Sequence, residues 1–234
     1  MKSFAAKRRA SDIAALLVHS RFVPSLASSD AVRRARSVEH LSHELALSSS
    51  LGADAYVIHA GAYSVDSSLE AGVALFVDSV RRSVAAASFT APLLLENVPG
   101  GGRRMGGSLE DLAVLQESFG SSLSLGFCLD TAHAHAAGYD CSTAAGALAF
   151  EARAKSLLGP GAVRAFHLND TRAILGSHRE HHEHWGRGLL GSEGLRALLS
   201  LPEHAATPGI LETPKDGAGA DRENLSYAER LVQS

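Results

Sequence analysis

Short apolar runs alternate with longer amphipathic segments along most of this chain, and this alternation restricts the fold more than any other sequence feature. Six of the runs lack strict polar–apolar alternation, as strands covered on both faces do. These predicted strands are Ala14–His19, Ala55–Ala60, Pro92–Val98, Leu125–Asp130, Val163–Leu168 and Gly209–Glu212.

The segments between the strands have apolar residues at three- and four-residue spacing, which predicts helices. The predicted helices are Asp30–Ser50, Leu69–Ala87, Ser108–Phe119, Ser142–Leu158 and Asp221–Val232. Ser108 and Asp111 form a capping pair at the start of one of them. Strand–helix alternation of this kind predicts a parallel sheet, either open or closed into a (β/α) barrel. Since no repeat or low-complexity linker divides the chain, we expect residues 1–234 to form a single domain.

Every predicted strand ends in a residue type that binds metals. The residues are His19, His59, Glu96, Asp130 followed by His133, His167 and Glu212. In a (β/α) barrel the C-terminal ends of the strands converge on one face, where active sites lie. Side chains far apart in the sequence would therefore meet there.

Each of these residues also has a simpler interpretation. Taken alone, His19 or His59 is more often a core histidine bonded to the backbone, and Asp130 or Glu212 is a salt-bridge partner. Together on one face, however, the buried carboxylates and imidazoles would repel one another or lose hydration unless a cation neutralised them. The set as a whole therefore predicts a metal site.

The segment Ser177–Gly188 is a second group of potential ligands. It adds Glu180, His181, His182, Glu183 and His184, although on its own it would also fit a solvated, histidine-rich surface. The chain has 12 histidines but only two cysteines, Cys128 and Cys141, which excludes a disulfide framework and a thiolate zinc site. Imidazole and carboxylate ligands remain, and zinc accepts both.

Charge and hydropathy exclude two further classes. The formal net charge of −3 argues against a protein that coats nucleic acid by bulk attraction, so any DNA contact must be local. No stretch approaches the roughly 20 apolar residues that a membrane span needs. We expect an intracellular, soluble protein, with the nucleus, the cytoplasm and the mitochondrion left open.

Four segments resemble the endonuclease IV family, in the same order and at similar separations. They are LLLENVPGGG, GFCLDTAHAHAAGYD, FHLND and the loop that ends in EHHEHWGRG. The resemblance covers nearly the whole chain and implies a zinc-dependent TIM barrel. It also implies an enzyme of base excision repair that hydrolyses the DNA phosphodiester 5′ to an abasic site and leaves a 3′-hydroxyl.

The resemblance also implies nine ligands for three zinc ions. The first ion would take His19, His59 and Glu96, with Glu96 bridging to the second, which Asp130, His167 and Glu212 complete. The third would take His133, Glu180 and His182. Zinc ions in such a cluster lower the pKa of a water and stabilise charge on phosphate oxygens. Glu96 and Glu212 are accordingly the expected catalytic residues.

The chain departs from the family pattern in three places. Glu180 stands where the family typically has aspartate, and Ser20, Arg21 and Phe22 replace Asp-Ser-Tyr. Phe22, Arg21 and Arg187 are the expected DNA contacts. The chain also begins close to its first strand, so about six of the eight β/α units are recognisable. An incomplete barrel has unpaired strand edges, which predicts lower stability or dimerisation.

Two alternatives use the same fold. A sugar isomerase or epimerase of this barrel type also gathers Glu, Asp and His at strand ends, but generally with one or two metals and without the loop at Glu180–His184. A family member that has lost activity would act as a binding or scaffold protein. Zinc stoichiometry separates the nuclease from the isomerase, and incision of abasic DNA separates the enzyme from the scaffold.

Overall fold

The computed structural model describes residues 2–21 and 24–233 and confirms the alternation of strands and helices. In chain order, the helices are α1 (Lys2–Arg9), α2 (Ala31–Leu51), α3 (Leu69–Ala87), α4 (Leu109–Phe119), α5 (Thr131–Ala137), α6 (Ala144–Leu158), α7 (Glu193–Leu199) and α8 (Ala220–Gln233). The strands are β1 (Leu17–His19), β2 (Ala55–His59), β3 (Leu93–Glu96), β4 (Leu125–Asp130), β5 (Val163–His167), β6 (Asp170–Thr171), β7 (His182–Glu183) and β8 (Gly209–Ile210). Two short 3₁₀ turns cover Gly120–Ser122 and Pro202–His204.

The chain divides into two compact units. The first comprises Met1–Glu96, Arg103–Gly106 and Val114–Gly126, and the second comprises Asn97–Gly102, Gly107–Ala113 and Phe127–Ser234. The single domain expected from the sequence stays a prediction.

In the first unit, three parallel strands lie in the order β1-β2-β3. Leu17 pairs with Ala55, and Tyr56 pairs with Leu93. Helices α2 and α3 pack against each other and bury Leu41, Leu45 and Phe76. Because both faces of these strands are covered, β3 is apolar along its whole length until it reaches Glu96.

In the second unit, β4 pairs in parallel with β5, and β5 pairs in parallel with β8. Phe127, Leu129 and Phe150 are buried in its core. A short antiparallel hairpin, β6–β7, pairs Asp170 with Glu183 and Thr171 with His182. This hairpin fixes part of the histidine-rich segment, so Ser177–Gly188 is not simply a solvated surface: Glu183, His184 and Trp185 are buried.

Local signals in the sequence place the helix ends. Asp30 caps α2 by accepting from the amides of Val32 and Arg33. The predicted capping pair at α4 is confirmed: the Asp111 amide donates to Ser108 Oγ at 3.0 Å, and the Ser108 amide donates to the Asp111 carboxylate at 3.2 Å. These bonds satisfy amides that have no partner inside the first turn. Among the described residues, no helix combines the length and apolar character needed to cross a membrane.

Candidate functional site

In the first unit, two histidines at strand ends meet one buried carboxylate. His19 ends β1, His59 ends β2 and Glu96 ends β3, so parallel pairing brings their side chains to the same edge. Nε2 of His19 lies 2.8 Å from Glu96 Oε2, and Nε2 of His59 lies 3.0 Å from the same oxygen. The Glu96 side chain is completely buried, whereas that of His19 is one-third exposed. Three of the nine predicted ligands therefore lie together in this unit.

In the second unit, Asp130, His133 and His182 offer ligand atoms that lie within 4.8 Å of one another. Asp130 ends β4 and caps α5, because its Oδ1 accepts from the His133 amide at 2.7 Å. This cap places His133 one helical turn beyond Asp130 and on the same side as its carboxylate. Strand β7 brings His182 Nε2 to 3.6 Å from Asp130 Oδ2.

Asp130 also forms a group with His167 and Glu212, whose ligand atoms lie within the same 4.8 Å limit. His167 ends β5, and its Nδ1 lies 3.2 Å from Glu212 Oε2. Glu212 follows β8 by two residues and is about one-third exposed. The structure thus brings together five of the six predicted ligands of the second unit around the end of β4.

Glu180 is the sixth of these predicted ligands and is the most exposed of them. Its Oε2 lies 3.9 Å from His133 Nε2, beyond hydrogen-bonding distance, and its side chain is 61% exposed. It lies in the connection between β6 and β7, two residues before β7 begins.

The hydrogen bonds of three histidines favour metal ligation. Nδ1 of His19 donates to the Ser20 carbonyl at 2.8 Å, Nδ1 of His133 to the Asn97 carbonyl at 2.9 Å, and Nδ1 of His182 to the Glu212 carbonyl at 3.2 Å. A carbonyl oxygen can only accept, so Nδ1 carries a proton in each ring. In the neutral rings of His133 and His182, Nε2 therefore carries the lone pair, whereas Nε2 of His19 lies 2.8 Å from the Glu96 carboxylate, which is also an acceptor. Metal-binding histidines usually have this arrangement.

His182 gives the clearest test of whether a cation fits. Its Nε2 is buried and has no hydrogen-bond partner among the residues that the structure describes. In the neutral ring the lone pair of this nitrogen and the fully buried carboxylate of Asp130 are both electron donors, and burying two donors side by side is unfavourable. A cation between them would remove this cost, so the residues present fit a metal ion.

Two asparagines orient the ligands of the second unit, and sequence reasoning missed one of them. Asn97 accepts from the Asp130 amide at 2.7 Å and donates to the Asp130 carbonyl at 3.0 Å. Asn169 donates to the carboxylates of Asp130 and Glu212 and accepts from the Glu212 amide at 2.8 Å. Asn97 directly follows a predicted ligand in LLLENV, and that position was the available signal.

Asn169 and Asp170 follow the predicted ligand His167 closely in the sequence, but their side chains bond to other residues. Asn169 holds Asp130 and Glu212 instead. Asp170 is completely buried, and its carboxylate accepts from four backbone amides, those of Thr171, Gly186, Gly188 and Leu190. It therefore fixes the segment that follows β7.

Two of the three expected DNA contacts lie among the described residues. Arg21 and Arg187 are both exposed. Phe22 lies outside the described residues. Contact of these side chains with DNA stays a prediction.

The family follows from comparison with known proteins. A family model described as a xylose isomerase-like TIM barrel matches residues 2–231. A probable endonuclease 4 of Solibacter usitatus is 36% identical over 237 residues, which covers 100% of this chain and 81% of the relative. The chain belongs to the endonuclease IV family.

Solved structures agree with this assignment. The crystal structure of endonuclease IV from Thermus thermophilus is similar with a TM-score of 0.85 and 29% identity, covering 99% of this chain and 81% of that one. A D-tagatose 3-epimerase-like protein is similar with a TM-score of 0.75 at 17% identity, covering 99% of this chain and 82% of that one, which shows a shared fold alone. The predicted TIM-barrel class is confirmed, and the epimerase alternative gains no support beyond the fold.

Proposed function

We propose that this chain hydrolyses the DNA phosphodiester 5′ to an abasic site, with zinc ions as cofactors. Membership of the endonuclease IV family makes it a nuclease, a hydrolase of DNA repair. The observation that carries the metal dependence is the buried Nε2 of His182, whose lone pair lies beside the buried Asp130 carboxylate.

The proposed ligands are the nine residues that the family resemblance implies. His19, His59 and Glu96 would hold the first of three ions, and Glu96 would also serve the second, which Asp130, His167 and Glu212 would complete. His133, Glu180 and His182 would hold the third. These imidazoles and carboxylates make a donor set of nitrogen and oxygen, which suits zinc.

The chain's own residues prepare this chemistry by holding the ligands in place. When bound, zinc ions lower the pKa of a water and stabilise negative charge on the phosphate oxygens. The carbonyls of Ser20, Asn97 and Glu212 orient three imidazoles by bonding Nδ1. Asn169 holds the carboxylates of Asp130 and Glu212 without neutralising them, so both keep their charge for a cation. Such preorganisation avoids reorganisation during the reaction.

Duplex DNA with an abasic site is the proposed substrate, and Arg21, Phe22 and Arg187 are proposed to contact it. The proposal is tested by incision of a labelled abasic duplex, with the same duplex lacking the lesion as the control, and by metal analysis of the purified protein. We expect about three zinc ions per chain, as the nine-ligand set implies, and cleavage of the abasic duplex only. One or two ions together with isomerase activity on a sugar would contradict it, as would zinc-loaded protein without incision. A dimer formed through strand edges stays a prediction, which the same preparation tests by sedimentation.

A further inference from the structure

A pocket of about 420 Å³ lies in the second unit between the segment that follows β7 and the helix α8. Three of its lining side chains are the arginines Arg187, Arg222 and Arg230, and all three are exposed. Glu223 is the acidic residue that lines it, and its carboxylate lies 3.9 Å from Arg187 Nη2. An exposed pair at that distance is weak, so the pocket keeps an excess of positive charge.

The wall that carries Arg187 is fixed by a buried carboxylate. Asp170 accepts from the amides of Gly186 and Gly188 at 3.0 Å each, which are the residues on either side of Arg187. Gly188 approaches so closely that an added Cβ would lie 2.3 Å from Asp170 Oδ1. The Arg187 amide itself donates to the His184 carbonyl at 3.0 Å. Hydrogen bonds therefore hold the backbone at Arg187 and on both sides of it, while the residue itself is exposed.

The opposite wall is formed by α8, and ring stacking and a hydrogen bond join it to Trp185. Tyr227 of α8 stacks on Trp185, with ring centroids 6.2 Å apart and an interplanar angle of 16°. Trp185 is anchored by a 2.8 Å bond from its Nε1 to the Leu168 carbonyl and by Asn224, which accepts from its amide. The Arg230 guanidinium lies 6.0 Å from the centre of the Tyr227 ring, at the limit of a cation–π contact.

Both walls continue segments that carry candidate metal ligands. Arg187 follows His182 in the same segment, and α8 follows Glu212 along the chain. The chain as a whole has a formal net charge of −3, so attraction to nucleic acid cannot come from its total charge. Guanidinium groups match phosphate oxygens in geometry and charge, and phosphate contacts fix the position of a duplex without reading its sequence.

We propose that Arg187, Arg222 and Arg230 form a binding site for backbone phosphates of duplex DNA, apart from the phosphate that is cut. This inference rests on the proposed function, since it assigns the site to the same duplex. It adds Arg222 and Arg230 to the proposed DNA-binding residues and assigns Arg187 to a backbone phosphate. The site binds undamaged and abasic duplex alike, because phosphates do not differ between them at this position.

The test measures binding of an undamaged duplex, which needs no cleavage, as a function of salt concentration. Each phosphate contact contributes about 0.9 to the slope of log affinity against log salt. We expect R222A/R230A to bind more weakly at low salt and to show a slope that is shallower by about 1.8, equal to two lost contacts. The control variant R82A/R153A also removes two exposed arginines, each paired elsewhere with an acid, and should keep the wild-type slope.

Fluorescence of Trp185, the single tryptophan of the chain, supplies a second readout next to the pocket. The proposal predicts that duplex changes this fluorescence and that inorganic phosphate at the same ionic strength produces no saturable change. Identical slopes for R222A/R230A and the wild type would overturn it. Saturable binding of inorganic phosphate without any difference in duplex binding would assign the pocket to a small anion instead. Wild-type protein that binds duplex but never cuts abasic DNA would overturn the proposed function while leaving the salt result for the pocket intact.

Discussion

Two buried carboxylates, one in each unit, are held in different ways. Glu96 meets the Nε2 atoms of His19 and His59 through a single oxygen. Asp130 is held by neutral donors: its carboxylate accepts from the His133 amide and from the Asn169 amide group, and Asn97 bonds both its backbone groups. Neutral donors keep their protons at any ordinary pH, whereas an imidazole nitrogen changes its role with protonation or metal binding.

The difference indicates how the surroundings of each carboxylate are stabilised. The bonds around Asp130 persist with or without a cation, so this part is preorganised by the fold. The partners of Glu96 are instead imidazole nitrogens, and His19, His59 and Glu96 are themselves the residues that would hold a cation. We therefore expect substitutions at Glu96 to act mainly through the metal, and substitutions around Asp130 to act through both the metal and the fold.

The largest expected effect is that of Glu96→Gln. A neutral amide cannot bridge two cations as a carboxylate does. We therefore expect incision of the abasic duplex to fall by about 10³-fold or more, a larger loss than that caused by removing one transition-state stabiliser. Zinc content should also fall. The matched control is Glu151→Gln, another buried glutamate that contacts a histidine, His204, at 3.1 Å but is not a proposed ligand. Near-normal incision by the Glu96 variant would remove Glu96 from the metal site.

His182→Ala tests the second unit and should have the next largest effect. We expect it to lose about one zinc ion and to slow incision by about 10²-fold, which is typical when one charge stabiliser is lost. His181→Ala, at the exposed neighbouring position, should change neither quantity. Unchanged metal content in the His182 variant would move the third ion elsewhere in Ser177–Gly188.

Asn169→Ala sharpens the comparison, because it removes a neutral donor and leaves every proposed ligand in place. The buried Asp130 carboxylate loses a partner, which should cost about 1–3 kcal/mol of unfolding free energy in urea. Asn224→Ala is the matched control, since this buried amide also bonds other residues, namely His184, Trp185 and Ala220. Both variants should be less stable, but only Asn169→Ala should lower zinc affinity. Equal zinc affinity in the two would show that Asp130 binds metal without the bond from Asn169.

The smallest expected effect is that of Ser108→Ala, at the start of α4 and away from the ligands. Loss of the bond from the Asp111 amide should lower the unfolding free energy by about 1 kcal/mol. Zinc content and incision should not change. Ser118→Ala on the same helix, where Ser118 Oγ donates to the Val114 carbonyl, controls for the loss of a hydroxyl. A loss of zinc in the Ser108 variant would mean that the cap of α4 also supports the site.

The elements that the sequence predicts well are those with a long periodic pattern or a local cap. Helix α3 was predicted with its observed bounds, Leu69–Ala87, and β4 with its bounds, Leu125–Asp130. Helix α5 and the hairpin β6–β7 were not predicted, because seven residues and pairs of two residues are too short to show a period. Their formation depends on the Asp130 cap and on pairing with another segment.

The sequence by itself determined the order of the six parallel strands and of the five longer helices, the ligand-type residue at or after each strand end, and the family. These follow from patterns between near neighbours and from motifs. Only the tertiary structure decided how the ligands are held. Asn97 and Asn169 reach Asp130 across 33 and 39 residues, and the carbonyls that set the proton on His133 and His182 come from Asn97 and Glu212. A hydrogen bond between distant residues depends on where folding places two groups, and no local pattern records that placement.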